Sequence, residues 1–325
     1  MESKKSREGN TVCVTGASGF IASWLVKLLL ERGHTVKASV RNLSDSRKTE
    51  HLKALRGAEE RLRLFEANLT EEGSFDSVVD GCDGVFHTAS PVPSSAAIAD
   101  PQLELIEPAV NGTLNVLRSC SRARSVRRVV LTSSLAAMVV NRLPKGGDVV
   151  VDETWFSDAE FCREAEQWYP LSKTMAEEAA RKFADEKGID MVVINPALVL
   201  GPLLQPSLNS TSGVVLQIIA GKEIFPTYRF VDVRDVATAH ILAYENPSAT
   251  GRYALVGATM THSDTLKLLH NLFPSIKAPP PVDTEDSAYQ TSRKRAERLG
   301  LKFRAVEDSL KETVESLTEK NFLTL

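Results

Sequence analysis

The sequence predicts an α/β fold built on a doubly wound parallel sheet. A β-branched run, Thr11 to Thr15, turns on Gly16 and Gly19 into a helical stretch, Phe20 to Arg32, which Gly33 can close in a left-handed conformation. Strand-like and helix-like stretches then alternate as far as Asn195, which implies right-handed βαβ crossovers with helices on both faces. Within Arg128 to Thr132 the apolar residues are consecutive, as in a parallel strand covered on both sides.

Each element follows from local pattern. Thr35 to Val40 is the second strand, Leu62 to Glu66 the third, Gly84 to Thr88 the fourth and Val129 to Thr132 the fifth, with a helix at Ala109 to Arg124. A long helix covers Leu171 to Lys187 and ends at Gly188; Met191 to Asn195 is the next strand, stopped by Pro196. Beyond it the character changes: Gly201 to Ser212 is rich in Pro, Ser, Asn and Leu, and Pro279-Pro280-Pro281 marks a second irregular stretch. A return to the main sheet is expected near Arg229 to Val233, so that about 228–246 completes it. The last helix, Ala305 to Lys320, spaces Val306, Leu310, Val314 and Leu317 on one face. Residues 1–200 are thus expected to form the main domain, and 201–325 mainly a smaller, discontinuous substrate-binding region.

Composition narrows the function classes. The 325 residues are 42% hydrophobic and 25% charged, with a formal net charge of -3, which suits a globular protein and recommends neither nucleic acid nor an anionic membrane as partner. Met1 to Asn10 is polar and the first apolar run is cut by glycines, so a cytoplasmic protein without leader or membrane span is expected. Cys13, Cys82, Cys120 and Cys162 are far apart and the six histidines are scattered, so no metal site is expected and the thiols are expected to be reduced and buried.

The turn Gly16-Ala17-Ser18-Gly19-Phe20-Ile21 opens a βαβ unit, where glycine lets the backbone approach a pyrophosphate held by the helix N-terminus. The glycines also suit a plain strand-helix turn, but at the opening of a βαβ unit the main domain is expected to be a Rossmann-type dinucleotide-binding unit. Its second strand ends in Val40-Arg41-Asn42 rather than in the acid that binds a ribose 2′-hydroxyl. Arg41, with Lys48 beyond it, suits a 2′-phosphate instead, and the cofactor is expected to be NADP(H). Either cation taken singly is as ordinary as any surface charge, and Asp45 opposes their field.

Tyr169 and Lys173 lie one turn apart on one helix face, after a strand ending Leu131-Thr132-Ser133-Ser134. Carbonyl reduction develops charge on oxygen, which needs a hydrogen-bond donor and then a proton. Lowering a phenol pKa of about 10 by about three units takes roughly 4 kcal/mol. One ammonium about 4 Å away supplies that at an effective dielectric of about 20. Tyr169 is therefore the expected proton donor, Lys173 the cation beside it and Ser134 the donor to the carbonyl oxygen, with Ser133 the less favoured serine. Phe161, Leu203, Leu204, Leu208, Phe225 and Tyr228 are candidates for an apolar pocket, or for ordinary core.

Four stretches carry a family resemblance over nearly the whole chain: Val14-Thr15-Gly16-Ala17-Ser18-Gly19-Phe20-Ile21-Ala22, Gly84-Val85-Phe86-His87-Thr88-Ala89-Ser90-Pro91, Leu131-Thr132-Ser133-Ser134 and Trp168-Tyr169-Pro170-Leu171-Ser172-Lys173-Thr174. The chain resembles the extended short-chain dehydrogenase/reductases known chiefly from plants, which include dihydroflavonol reductase, cinnamoyl-CoA reductase and aldehyde reductases. The resemblance implies NADPH, a Ser-Tyr-Lys mechanism and cofactor contacts at Gly16, Ser18, Gly19, Phe20, Ile21, Arg41 and Lys48. It also implies contacts at Asn68, where the family usually has Asp, and at Leu69, Thr88, Ala89, Ser90, Tyr169, Lys173, Pro196 and Val199. Pro170 and Leu171 depart from the cinnamoyl-CoA reductase signature, and Val139 replaces the Asn of dihydroflavonol reductases. These departures point to the aldehyde-reductase branch and to a small aromatic aldehyde or ketone as substrate. Dihydroflavonol or cinnamoyl-CoA reduction is the alternative, and a non-catalytic dinucleotide sensor a second one. The expected partner is a small-molecule carbonyl, with the chain a monomer or weak dimer.

Overall fold

The computed structural model describes residues 9–91, 99–144, 146–276 and 288–325. From the amino end run β1 (Thr11–Thr15), α1 (Phe20–Glu31), β2 (Thr35–Val40), α2 (Ser46–Lys53), α3 (Ala58–Arg61), β3 (Leu62–Glu66), α4 (Asp76–Val79) and β4 (Gly84–His87). A π-helical turn, Gln102–Ile106, leads into α5 (Glu107–Arg122), β5 (Arg128–Thr132), α6 (Ala136–Val139), β6 (Val150–Val151), α7 (Ala159–Glu164) and α8 (Trp168–Lys187). There follow β7 (Met191–Pro196), β8 (Leu198–Leu200), α9 (Ser210–Ile219), β9 (Thr227–Asp232), α10 (Val233–Glu245), β10 (Gly251–Leu255) and β11 (Ala258–Thr261). The chain closes with α11 (His262–Leu272), β12 (Gln290–Thr291), α12 (Lys294–Arg298) and α13 (Val306–Glu319). Pro279-Pro280-Pro281 lies outside the described residues.

The main sheet has seven strands in the order β10-β7-β5-β4-β1-β2-β3, every neighbouring pair parallel. It starts at β1, winds outward through β2 and β3, then returns beside β1 as β4 and winds the other way. Every strand therefore presents its carboxyl end to one edge, and the winding reverses between β1 and β4, where open sheets of this kind form a crevice. Alternation along the strands decides which helices cover which face. Val12 and Val14 join Leu25 and Leu29 of α1 and Val236 of α10 in one core. Cys13, Val85, Val129 and Val193 join Val116 and Leu117 of α5 and Ala180 of α8 in the other. All four cysteines are buried.

Two sequence expectations need correction. Thr227–Asp232 does not complete the main sheet: it pairs parallel with β8 and antiparallel with β11 in a separate three-stranded sheet, and β10 is the seventh strand. An alternating run marks a strand but not its partner, since pairing is set by chain segments distant in sequence. The 228–246 stretch contributes to the main body through α10, packed on α1, β5 and β7. The long helix starts at Trp168, not Leu171, because Pro170 is its third residue, where a backbone N–H has no acceptor within the helix.

The irregular Gly201 to Ser212 stretch is pinned at its start. Gly201 N donates to Thr313 Oγ1 at 2.7 Å and Leu203 N to Ser316 Oγ at 2.9 Å, both on α13, while Trp24 Nε1 of α1 donates to Pro202 O at 2.8 Å. Among the described residues no helix is long and apolar enough to cross a membrane.

Candidate active site

The carboxyl edge of the sheet gathers the sequence-predicted residues. The turn after β1 holds Gly16, Ser18 and Gly19, and Phe20 and Ile21 begin α1. Gly16 has φ +64°, and a Cβ there would meet the Ala89 Cβ at 2.9 Å and the Ala89 Cα at 3.0 Å. Only glycine serves both demands. Gly19 caps α1 without a side-chain hydrogen bond, its own N–H being donated to Gly16 O at 2.9 Å. The first helical N–H groups, those of Phe20 and Ile21, are thus left facing the crevice without a capping side chain, the arrangement that holds an anion.

Arg41 follows β2 directly, exposed and without an ion pair or side-chain hydrogen bond among the described residues. Asp45 caps α2 by accepting from Arg47 N at 3.1 Å and pairs with the Arg47 side chain at 3.2 Å. Its charge is thereby met by Arg47. Lys48 lies half-buried in the first turn of α2, close enough that its charge lowers the His51 pKa, which burial takes to about 4. Dinucleotide chemistry fits this end of the cleft: uncapped N–H groups for a pyrophosphate and a free guanidinium for a 2′-phosphate. Asn68 and Leu69 follow β3. Asn68 Oδ1 accepts from Thr70 N at 3.2 Å and its amide donates to Glu71 at 3.1 Å, while Leu69 packs against Gly112 of α5.

Thr88, Ala89 and Ser90 follow β4. Thr88 N and Ala89 N both donate to Thr15 Oγ1, at 3.1 and 3.0 Å. With two donors on its oxygen, the Thr15 hydroxyl must donate, and its acceptor is His87 Nδ1 at 2.9 Å. That fixes the proton on His87 Nε2, which faces Thr113 Oγ1 of α5 at 3.4 Å. His87 is held neutral, its pKa pushed down to about 3 by burial and by the Lys173 charge. Sequence reading missed Thr15, His87 and Thr113 as site residues, since each matters through a partner 26 or more positions away.

Ser134 follows β5, and Tyr169 and Lys173 occupy the first two turns of α8. Ser134 Oγ accepts from Ala136 N at 3.1 Å. Burial raises the Tyr169 pKa above that of a free phenol, and the hydrogen bond to Ser134 pulls it back. The expectation that Lys173 depresses the phenol is thus not what the protein alone shows. Both groups are desolvated, and burial disfavours the charged form of each. Lys173 is buried and its pKa is lowered to about 8 by that burial, against the opposing charge of Glu177. The Ser133 hydroxyl is taken up by Glu177, donating at 2.5 Å, so Ser134 is the serine left for a ligand. Pro196 O accepts from Leu135 N at 2.9 Å behind Ser134, and Val199 is buried in the core of β8.

The apolar candidates separate. Tyr228 is fully buried, stacked on Phe230, its hydroxyl accepting from Ile224 N at 3.2 Å and facing His262 Nδ1 at 3.1 Å. It and buried Leu203 are core, and Leu204 packs against the same core. Leu208 and Phe225 are exposed and Phe161 half-buried beneath the Arg142 guanidinium. Val139 packs with Leu135, Met138, Ala254 and Val256.

Residues 12–257 match the model of the NAD dependent epimerase/dehydratase family. The chain is 56% identical to "Cinnamoyl-CoA reductase CAD2" of Medicago truncatula over 98% of its own length and 99% of that protein. Its fold superposes on vestitone reductase from alfalfa (TM-score 0.84, 31% identity, 97% of this chain and 100% of that one). It also superposes on the yeast methylglyoxal/isovaleraldehyde reductase Gre2 complexed with NADPH (TM-score 0.85, 29% identity, 96% and 100%). The expected aldehyde branch is therefore too narrow a placement, since the Medicago relative carries the name of the alternative. Together with the Ser134, Tyr169 and Lys173 set, these likenesses make the protein an oxidoreductase acting on carbonyl groups. The chain belongs to the NAD dependent epimerase/dehydratase family, within the plant-type reductases of the extended short-chain dehydrogenase/reductases.

Proposed function

We propose that this chain is an NADPH-dependent reductase of the cinnamoyl-CoA reductase type, reducing the thioester carbonyl of an aryl-propenoyl thioester to the aldehyde. The observation that carries it is the gathering of Ser134 and Tyr169 at the carboxyl edge, with Ser134 close enough to lower the Tyr169 pKa and Lys173 one turn behind, in a chain 56% identical throughout to the Medicago reductase. NADPH, when bound, supplies the hydride. The Ser134 and Tyr169 hydroxyls donate to the carbonyl oxygen, and as that oxygen becomes an alkoxide it takes the Tyr169 proton, being a far stronger base than the phenolate left behind. The N-terminus of α8 and the Lys173 ammonium stabilise that phenolate. The resulting hemithioacetal gives back its hydroxyl proton as its C–S bond breaks, and the thiolate is protonated: thioester, NADPH and one proton yield aldehyde, thiol and NADP+.

A second reading, reduction of the aldehyde to the alcohol, is favoured by Pro170 and Leu171. Leu171 is fully buried beside Ile106 and Cys162 and offers the cleft nothing polar. NADPH oxidation with an aryl-propenoyl-CoA, the matching aldehyde and a dihydroflavonol, with Tyr169→Phe as blank, separates them. The thioester is expected to lead in kcat/KM by about tenfold or more; an aldehyde that leads instead establishes the second reading. For the cofactor, Arg41→Ala is expected to raise the KM for NADPH about 10- to 100-fold and to change NADH use little, as a charged hydrogen-bond pair is worth about 1.5–3 kcal/mol. Steady-state rates with both dinucleotides check this, and an unchanged preference removes Arg41 from the site.

A further inference from the structure

One buried charge pair lies behind the reacting groups. Glu177 stands one turn beyond Lys173 on α8, and its side chain is 3% exposed; Arg252 on β10 is 5% exposed and meets it at 2.6 Å. The other carboxylate oxygen accepts from Ser133 Oγ at 2.5 Å and from Asn195 Nδ2 at 2.8 Å. Asn195 Nδ2 also donates to the Ser134 carbonyl at 3.0 Å. Arg252 donates to the Ala137 carbonyl at 3.2 Å and the Trp155 carbonyl at 2.5 Å, and its guanidinium lies 4.3 Å from the Phe156 ring centroid. A buried ion pair is a weak source of stability, because desolvation offsets the attraction and an apolar pair of like volume serves as well. This pair is placed where it touches the site: Ser90, Thr113, Ser133, Lys173 and Glu177 line one pocket at the carboxyl edge.

We propose that Glu177, clamped by Arg252, Ser133 and Asn195, is a positioning residue of the reduction, the counter-charge of the buried Lys173 ammonium and the anchor that sets the Ser134 segment. The inference rests on the reductase reading of Ser134, Tyr169 and Lys173. Burial lowers the Lys173 pKa to about 8, and the charge of Glu177 opposes that shift. The other groups about Lys173 offer it no negative charge: His87 of β4 is neutral, Thr113 of α5 and Ser133 after β5 are hydroxyls, and Tyr169 keeps its proton. Arg252 is a second cation behind Glu177, so neutralising Glu177 leaves its charge opposed only by the more distant Glu153. A lysine with a lowered pKa holds its charge below that pKa and loses it as pH rises, so Glu177→Gln should discharge Lys173 at lower pH.

The test titrates the Lys173 Nζ resonance by 15N NMR in cofactor-free protein, assigned by its absence from Lys173→Arg, beside pH profiles of kcat and KM with NADPH and the best carbonyl substrate. In Glu177→Gln the Lys173 midpoint is expected to fall by about one unit or more, the alkaline limb of kcat moving with it while KM changes less. At pH 8.5 the variant should lose about tenfold more of its kcat than at pH 6. Should that variant fold poorly, Glu177→Met combined with Arg252→Met replaces the pair by apolar side chains and should recover thermal stability, yet still show a lowered Lys173 midpoint. Activity that returns with stability, together with an unmoved Lys173 titration, overturns the proposal and leaves the pair a matter of packing. A wild type that oxidises NADPH with no carbonyl would sink the reductase reading instead, and the NMR titration would still decide whether Glu177 sets the Lys173 charge.

Discussion

Tyr169→Phe is expected to lower kcat about 10³-fold, since a positioned proton donor contributes typically 10² to 10⁴. The change removes one oxygen and keeps the ring, so the half-buried side chain retains its packing in the first turn of α8. What is lost is the proton and the hydrogen bond with Ser134. Ser134 can still donate to the carbonyl oxygen, so some charge stabilisation survives, but no group in reach delivers the proton as the alkoxide forms. Lys173 does not substitute, because it lies a further turn along the helix in the pocket behind. NADPH affinity, read by fluorescence titration, should stay within about twofold, because the pyrophosphate and 2′-phosphate contacts assigned to the turn and Arg41 are untouched. A kcat within tenfold of wild type would remove Tyr169 as the acid.

The second large effect is expected from Gly16→Val, which should weaken NADPH binding by more than about 100-fold. Its φ of +64° is unfavourable to any L side chain, and the new Cβ would lie 2.9 Å from the Ala89 Cβ and 3.0 Å from its Cα. A left-handed residue costs about 1–2 kcal/mol and overpacking about 1–3 kcal/mol more. The chain can relieve both only by opening the turn. That movement displaces the Phe20 and Ile21 N–H groups and the Ala89 backbone packed on Gly16. Gly19→Ala is the control: φ is −78° there, and the added Cβ meets only Gly16 O at 3.2 Å, so its effect should be about tenfold or less. Fluorescence titration with NADPH, beside thermal unfolding, separates lost binding from lost folding. Near-native affinity in the valine variant would show that the bend does not hold the pyrophosphate.

Much of this was legible in local pattern. β2 and β3 fall at the bounds read from the sequence, and the α8 face carrying Tyr169 and Lys173 follows from four-residue spacing. Illegible were the pairings. Thr227–Asp232 and Gly251–Leu255 both read as strands, and only tertiary packing assigns the first to the small sheet and the second to the main one. The same limit hid the pocket behind the reacting groups. Asn195 and Arg252 gain their meaning from Glu177, 18 and 75 positions away, and no spacing rule joins them. The preference for Ser134 over Ser133 was read from the sequence, but its reason was not: Glu177 takes the first hydroxyl. Tyr228 is the converse: the sequence left it between pocket wall and ordinary core, and its hydroxyl finds partners inside the core.

The most direct test of the catalytic assignment is a crystal structure with NADP+ and an aryl-propenal bound together. The carbonyl oxygen should lie about 3 Å from both the Tyr169 and Ser134 hydroxyls, with its carbon against the nicotinamide ring and the 2′-phosphate on Arg41. A Tyr169 hydroxyl turned away from that oxygen, or a dinucleotide bound elsewhere than the Gly16 to Ile21 bend, would contradict it.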